Sequence, residues 1–563
     1  MGVGATWTLA RVAASLGQVS AGTVPVVTPA LDVADGGMLW AVPSLLSVGL
    51  LAPALEIFAP VPGYYALASL LLVLAFLALA RVPTLEQVRY LSPGDWGRLV
   101  GLDRIPDVKT LRQKLTTLCA EKSTVAEWGR QLAQQWMQTG DDHAGFFYLD
   151  GHLREYSGAH TRLPRHFAAR RKLCVRGVME YWVNAYGGAP LFVVSKELDP
   201  GLVAMLRDEI VPRLLQEYQP PATGAGPKFT MIFDRGGFSP SLFAALSQQG
   251  IAVLTYQKYV TAPWPTEEFT QQSVTLVSGE VVEMQLAERP LCCPPLQEAR
   301  EIRRLTKSGH QTAIICTHAT LPLTTAAPYM FARWCQENFF KYAVKEFNID
   351  HLLTYDLEEL PDTTRVVNPQ RKALESAISR VTQQRQRTQA KLGTLSLRET
   401  ALSDKAVEKY QHQQGEWLQD IEEQTQVLQL WKEARATTPR HISLGELPVS
   451  QRYQGMTTGK KLFVDTIKMI AYRAETTMAN ILRAHLARPE DVRSLLQALF
   501  TSPADLLPDE DAHTVTIRLH HPSARYQAEA LQRLAAELNE TATLYPGTEL
   551  RMIFQVGTKN GPA

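Results

Sequence analysis

The stretch "FTMIFDRGGFS" at 229–239 sets the tightest limit on how this chain can fold. Phe229, Met231, Ile232 and Phe233 form a short apolar run suited to a buried strand. Asp234 ends the run, and Arg235, Gly236 and Gly237 turn the chain. A carboxylate at the tip of a core strand gives up hydration that a cation or hydrogen-bond donors must replace. Any fold for this sequence therefore needs an inner strand whose end meets such a partner.

The flanking segments extend that picture. "GFFYLDGHL" (145–153) reads as a short apolar strand ending at Asp150. "KLCVRGVMEYWVNA" (172–185) and "PLFVVSKEL" (190–198) follow as strands, with Gly187 and Gly188 marking a hairpin between them. Residues 199–219 form an amphipathic helix opened by Asp199. After the Asp234 strand come a helix at 239–250, capped by Ser239 and stopped by Gly250, and a strand at 251–259. Three strands followed by alternating helices and strands predict an α/β mixed sheet, in the order of the RNase H-like fold. Residues 261–325 contain short β-prone pieces and read as an inserted β-rich subdomain. A helix returns at 326–347, so the core is assigned to 143–260 and 326–368.

The remaining segments are mainly helical. Residues 1–36 lack a clear period and read as a weakly structured N-terminus. Residues 37–142 read as a helical domain. Its stretch 63–83 holds about seventeen uncharged residues, at the lower edge of a membrane span, and is expected to be a buried central helix instead. Further on, Ser92 and Pro93 open one short helix, and Asp107 caps another that carries Lys109, Arg112 and Lys114. That pattern fits both a helix-turn-helix DNA reader and a helical bundle with a solvated basic face. Residues 369–437 read as an antiparallel helical arm broken near Gly393, and 438–563 as a small α+β domain.

Composition narrows the function. Lys and Arg number 57 against 56 Asp and Glu, a formal net charge of +1, so a nucleic-acid surface must come from local clustering. The six cysteines are sparse and irregular, which fits a reducing compartment. Cys316-x-His318 and the Cys292–Cys293 pair lack the paired spacing of a zinc site.

In the predicted sheet the strands of Asp150 and Asp234 are neighbours. Two carboxylates brought together repel unless a cation lies between them, and a hard divalent ion such as Mg²⁺ or Mn²⁺ suits oxygen ligands. A third carboxylate is expected from the 326–347 helix, which offers Glu337 and Glu346. Arg333, Glu337 and Lys341 share one face at four-residue spacing.

The blocks "YLDGH", "IFDRGGFS" and "RWCQENFFKY" resemble the three catalytic blocks of DDE insertion-sequence transposases, in the group with a β-rich insertion before the glutamate helix. "YLSPGDWGRLVGLDRIPDVKTLR" and "DTIKMIAYRAETTMANIL" extend the likeness. The resemblance implies that Asp150, Asp234 and Glu337 form a catalytic triad holding two Mg²⁺ or Mn²⁺ ions, with Arg333 in the family's Arg-x-x-x-Glu spacing. The family's tyrosine and lysine positions hold Met330 and Val344 here, with Tyr329 and Lys345 one residue away. The resemblance further implies cleavage at the ends of a mobile element, strand transfer into target DNA, a synaptic homodimer, and work at the nucleoid in the cytoplasm. The other functions in view are a metal-dependent nuclease without strand transfer and an inactive DNA-binding relic.

A phosphate track is expected near Asp150. Arg162, Arg165, Arg170, Arg171, Lys172 and Arg176 form the densest basic cluster in the chain. Arg333 and Lys341 would add cations at the triad, and Lys109 and Arg112 would serve the N-terminal DNA reader.

Overall fold

A computed structural model describes residues 6–557, apart from 20–21, 139–142, 157, 159–162, 169–170, 221–225, 278, 293, 297, 351–356, 397–403, 457 and 487. The chain divides into two units. One comprises Met1–Ser157, Arg165–Asp356 and Met456–Ala563; the other comprises Gly158–Pro164 and Leu357–Gly455.

The first unit is mixed α/β and holds a ten-stranded sheet. Its strands run, edge to edge, Arg165–Ala168, Leu173–Ala185, Phe146–Glu155, Phe229–Phe233, Ile251–Tyr256, Gln311–Cys316, Arg300–Leu305, Val281–Pro290 and Thr270–Thr275. Pro190–Lys196 also pairs with Leu173–Ala185. The Asp150 strand is antiparallel to Leu173–Ala185 and parallel to the Asp234 strand, which is in turn parallel to Ile251–Tyr256. Alternation along these strands separates two apolar faces. Tyr148, Ile232, Leu254 and Ile314 face the helix Leu323–Phe331. Phe147, Leu149, Met231, Phe233 and Val253 join the larger core, with Leu206, Ile210 and Phe243.

Three expectations change here. The β-rich stretch 261–325 is no separate subdomain: Gln311–Cys316 pairs antiparallel with Ile251–Tyr256, so its strands lengthen the central sheet. Asp150 does not close its strand, which continues to Glu155. What ends at Leu149 is the parallel ladder to the Asp234 strand; beyond it only the neighbour Leu173–Ala185 continues the pairing. The 326–347 helix is two helices, Leu323–Phe331 and Arg333–Glu346, meeting at Ala332.

The helices of 37–142 share their core with the C-terminal region. In the helix Leu67–Leu79 every residue but Ala68 is buried, so it takes the central place expected of it. It packs on the 26-residue helix Thr458–Arg483, which also contacts Val42–Ser47 and Lys122–Met137. Among the described residues no helix is long and apolar enough to cross a membrane. Ser92 and Asp107 cap Pro93–Arg98 and Val108–Leu118, accepting from the Asp95 and Thr110 amides. Residues 99–107 separate these helices, a longer link than the three- to four-residue turn of a simple helix-turn-helix.

The expectation for 1–36 also needs correction. Thr8–Ser15 is helical, and Ala30–Val33 forms the edge strand of a four-stranded sheet with Ala504–Asp509, Thr514–Leu519 and Arg551–Val556. Val33 is fully buried there, which gives this otherwise unpatterned segment an anchor. The last two strands are parallel, and Arg525–Glu540 is the helix between them.

In the second unit, Pro369–Ser396 and Asp404–Thr437 are long helices, the first running unbroken through Gly393. Arg371 donates to the Arg435 and Thr438 carbonyls, and Arg385 to the Thr425 hydroxyl, so the two helices are antiparallel.

Candidate active site

The parallel ladder between the Asp150 and Asp234 strands ends with Leu149 opposite Phe233. The next residue on each strand is an aspartate, so the two carboxylates start from neighbouring backbones about 4.8 Å apart. Asp234 is extended and opens a short turn, its Oδ1 accepting from the Gly236 amide at 2.8 Å. The turn requires glycine at 237: a Cβ there would lie 2.5 Å from the Phe233 ring.

The helix Arg333–Glu346 is fixed over the Asp150 strand by one side chain. Gln336 is buried, and its Nε2 donates to the Tyr148 carbonyl (3.3 Å), the Trp182 carbonyl (3.0 Å) and Asn184 Oδ1 (2.8 Å). The turn at Gly188 approaches the helix closely. With φ +90° it has no room for a side chain, since a Cβ would stand 2.8 Å from the Cys335 carbonyl oxygen. Three residues before Gln336 and one after it, Arg333 and Glu337 are carried to the aspartates. Arg333 Nη1 lies 3.2 Å from Asp150 Oδ2 and its Nη2 lies 2.7 Å from Glu337 Oε1. Asp150 Oδ1 accepts from the Gly151 amide at 2.9 Å.

The electrostatics follow from this crowding. Burial pushes the Asp150 carboxyl up to about 6, against the pull of Arg333, and the charges of Asp234 and Glu337 add to the rise. Arg333 is thus held between Asp150 and Glu337, and Arg235 and Arg304 are further cations near Tyr256. The other candidate, Glu346, faces away: it pairs with Lys345 (2.9 Å) and lies 3.7 Å from Arg81. Hard oxygen donors with a charge deficit suit a divalent cation. Arg333 must give way for one ion to meet all three. Among the described residues, the group of metal-type ligands already gathered within 4.8 Å is a different one, Asp32, Asp505 and His520. There Arg518 already lies against Asp505, at 2.8 Å.

Sequence reasoning missed Gln336 and Tyr256. The register places Tyr256 beside Asp234, one position past the pair Phe233–Thr255. Burial raises its hydroxyl pKa, and Arg333 and Glu337 are among its charged neighbours. Its position at the end of "IAVLTY" was the available signal. Tyr329 is buried in an aromatic group with His143, Phe146 and Tyr186 and receives the Tyr148 hydroxyl on its carbonyl at 2.9 Å. Lys345 is spent on Glu346.

The basic residues are spread over several elements. Arg165, Arg171, Lys172 and Arg176 lie on or at the end of the ribbon formed by Arg165–Ala168 and the first residues of Leu173–Ala185; Arg162 and Arg170 lie outside the described residues. Arg171 pairs with Glu155 at 2.8 Å. Lys341 is exposed one turn beyond Glu337. Lys109 and Arg112 lie on Val108–Leu118, where Arg112 is in direct contact with Glu86.

A family model described as "Transposase protein" matches residues 2–558, and the chain belongs to that family. No curated protein matches it.

Proposed function

Taking membership of a transposase family as the premise, we propose that this protein cuts DNA at the ends of a mobile element and joins those ends to target DNA, with Asp150, Asp234 and Glu337 as the metal-holding residues of a DDE site. The observation that carries the reading is the meeting of Asp150, at the end of the parallel ladder beside Asp234, with Arg333 and Glu337 of one helix, the Asp150 carboxyl being pushed up to about 6. The strand order, with three antiparallel strands followed by two parallel ones, supports an RNase H-like core.

Asp150, Asp234 and Glu337 would hold Mg²⁺ or Mn²⁺ as a two-ion site. When bound, such ions activate the attacking oxygen and offset charge on the leaving one. The chain's own residues do the positioning. Gln336 locks the helix against the sheet, so Arg333 and Glu337 keep their distance from Asp150. Arg333, on the same helix turn as Glu337, would be placed to take a phosphate oxygen once it left Asp150. Tyr256 walls the Asp234 side. Double-stranded DNA, both element ends and target, is the partner, held in a homodimeric synaptic complex at the nucleoid.

The test is a strand-transfer assay with duplexes copied from the DNA flanking the coding region, one carrying a free 3′-hydroxyl end, in Mg²⁺ or Mn²⁺. Joined products that vanish in Asp234→Asn, with DNA binding kept, are expected. Cleavage without joining would make the protein a nuclease. Binding with neither activity would make it a relic.

A further inference from the structure

The hairpin that follows the Asp150 strand carries a surface that the cut-and-join chemistry does not use. Arg165–Ala168 pairs antiparallel with the start of Leu173–Ala185, placing Arg165 opposite Arg176, His166 opposite Val175 and Phe167 opposite Cys174. Residues directly opposite share a face. One face is pinned inward: His166 is buried, and its Nε2 donates to the Gly177 and Glu197 carbonyls, each at 3.1 Å. The other face therefore points outward and carries Arg165, Phe167, Cys174 and Arg176. Phe167 is 65% exposed. An aromatic ring left in water one step beyond the Arg165–Arg176 pair, with Arg171 and Lys172 at the tip on its other side, is an apolar feature inside a cationic frame.

Asp150 pairs with Trp182, and Glu180, Val178, Arg176 and Cys174 alternate along the same side of that strand; Trp182, Glu180 and Val178 are buried, so the outward face begins at Arg176. Cys174 is eight residues from Trp182. That is about 27 Å along a strand, or about eight base-pair steps of duplex DNA.

We propose that this outward face is a duplex-DNA docking surface on which Arg165 and Arg176 hold phosphates while Phe167 presses into a base step and bends the helix axis. The proposal rests on the DNA reading above and adds where the duplex is deformed. The cationic frame selects a polyanion, and the ring beside the arginine pair selects one with apolar faces to offer, which base pairs supply. Apolar wedges of this kind partly unstack a step and kink the duplex.

The test uses the full chain and a duplex of about 20 base pairs, straight when free because it is far shorter than the persistence length, with a fluorophore at each end. Wild-type protein should raise energy transfer between the ends. Phe167→Ala should bind several-fold more weakly with the same dependence on salt, and lose most of that rise. Phe167→Leu, which keeps an apolar wedge, should restore it. Arg165→Ala/Arg176→Ala should instead flatten the log–log salt slope by about two units. Circular dichroism melting of each variant guards against misfolding. A rise in Phe167→Ala equal to wild type overturns the wedge while leaving the DNA reading in place. A wild-type protein that binds no duplex at low salt removes the DNA reading itself, and the wedge with it.

Discussion

At its middle the Asp150 strand enters a group of three carboxylates in which Arg333 bridges Asp150 and Glu337. Two and four residues further along the same face, His152 and Arg154 enter a layer built to a different rule. Arg154 lies 3.0 Å from Glu180, both buried. Lys461 lies between Glu180 and Asp465 and donates to the Ile349 carbonyl at 2.7 Å. Lys468 donates to the Asn348 carbonyl at 2.9 Å, and Asp350 meets His152 at 2.6 Å. Glu180 and Asp465 are thus met by Arg154 and Lys461, and Asp350 by His152. Burial alone does not distinguish the two regions. The layer is neutralised from within and ties the loop after the Glu337 helix to Thr458–Arg483. At the site, three carboxylates gather with only Arg333 bonded directly among them.

The sharpest test of this contrast is activity. Asp150→Asn or Asp234→Asn should lower strand transfer by roughly 10³-fold or more, the scale of several kcal/mol of charge stabilisation. Glu346→Gln, on the far side of the same helix, should leave it nearly unchanged, as read from joined product on gels.

Stability should respond in the opposite sense. Glu180→Ala strands Arg154 and Lys461 and should cost about 3–5 kcal/mol in urea unfolding. Asp150→Asn should stabilise the metal-free protein. The Asp150 carboxyl stands near 6 in the fold. An unfolded chain places it near 3.9, so folding disfavours the ionised form. The penalty grows as pH rises from about 4 to about 6 and is complete above that. Removing it should add on the order of 2–3 kcal/mol at pH 7 and nothing near pH 4, as measured by unfolding midpoints across that range.

A divalent ion should act on the same carboxyl. Mg²⁺ or Mn²⁺ at ten to a hundred times its dissociation constant should stabilise the wild-type protein by about 1–3 kcal/mol. The gain should shrink below pH 6, where a proton competes for Asp150, and vanish in Asp150→Asn. Thermal melting with and without the ion reads it. Equal gains in both proteins would remove Asp150 from the ligand set.

The smallest effect concerns the ribbon tip. Arg171→Ala/Lys172→Ala should flatten the salt dependence of DNA binding by about one to two units, the lower value because Glu155 already holds Arg171. Binding isotherms at several salt concentrations measure it.

The sequence made the two aspartates legible because a short apolar run cut off by a carboxylate and a glycine turn has few other meanings. It made the buried central helix legible through length and flanks. It concealed Gln336, because a glutamine on an amphipathic helix looks like a solvated residue until its three acceptors are known. It concealed the continuity of the sheet through 261–325, because strand pairing is non-local and leaves no mark on either strand alone. The edge strand at Ala30–Val33 was hidden for the same reason, at an extreme: its partner Asp505, which receives the Asp32 amide, is 473 residues away.

That separation governs how the protein is made. The helix Leu67–Leu79 has its packing partner in Thr458–Arg483. On a ribosome adding about 5–20 residues per second, some 20–80 seconds pass between the two. Throughout that interval a helix apolar but for Ser69 waits without its cover, so newborn chains should depend on a holding chaperone.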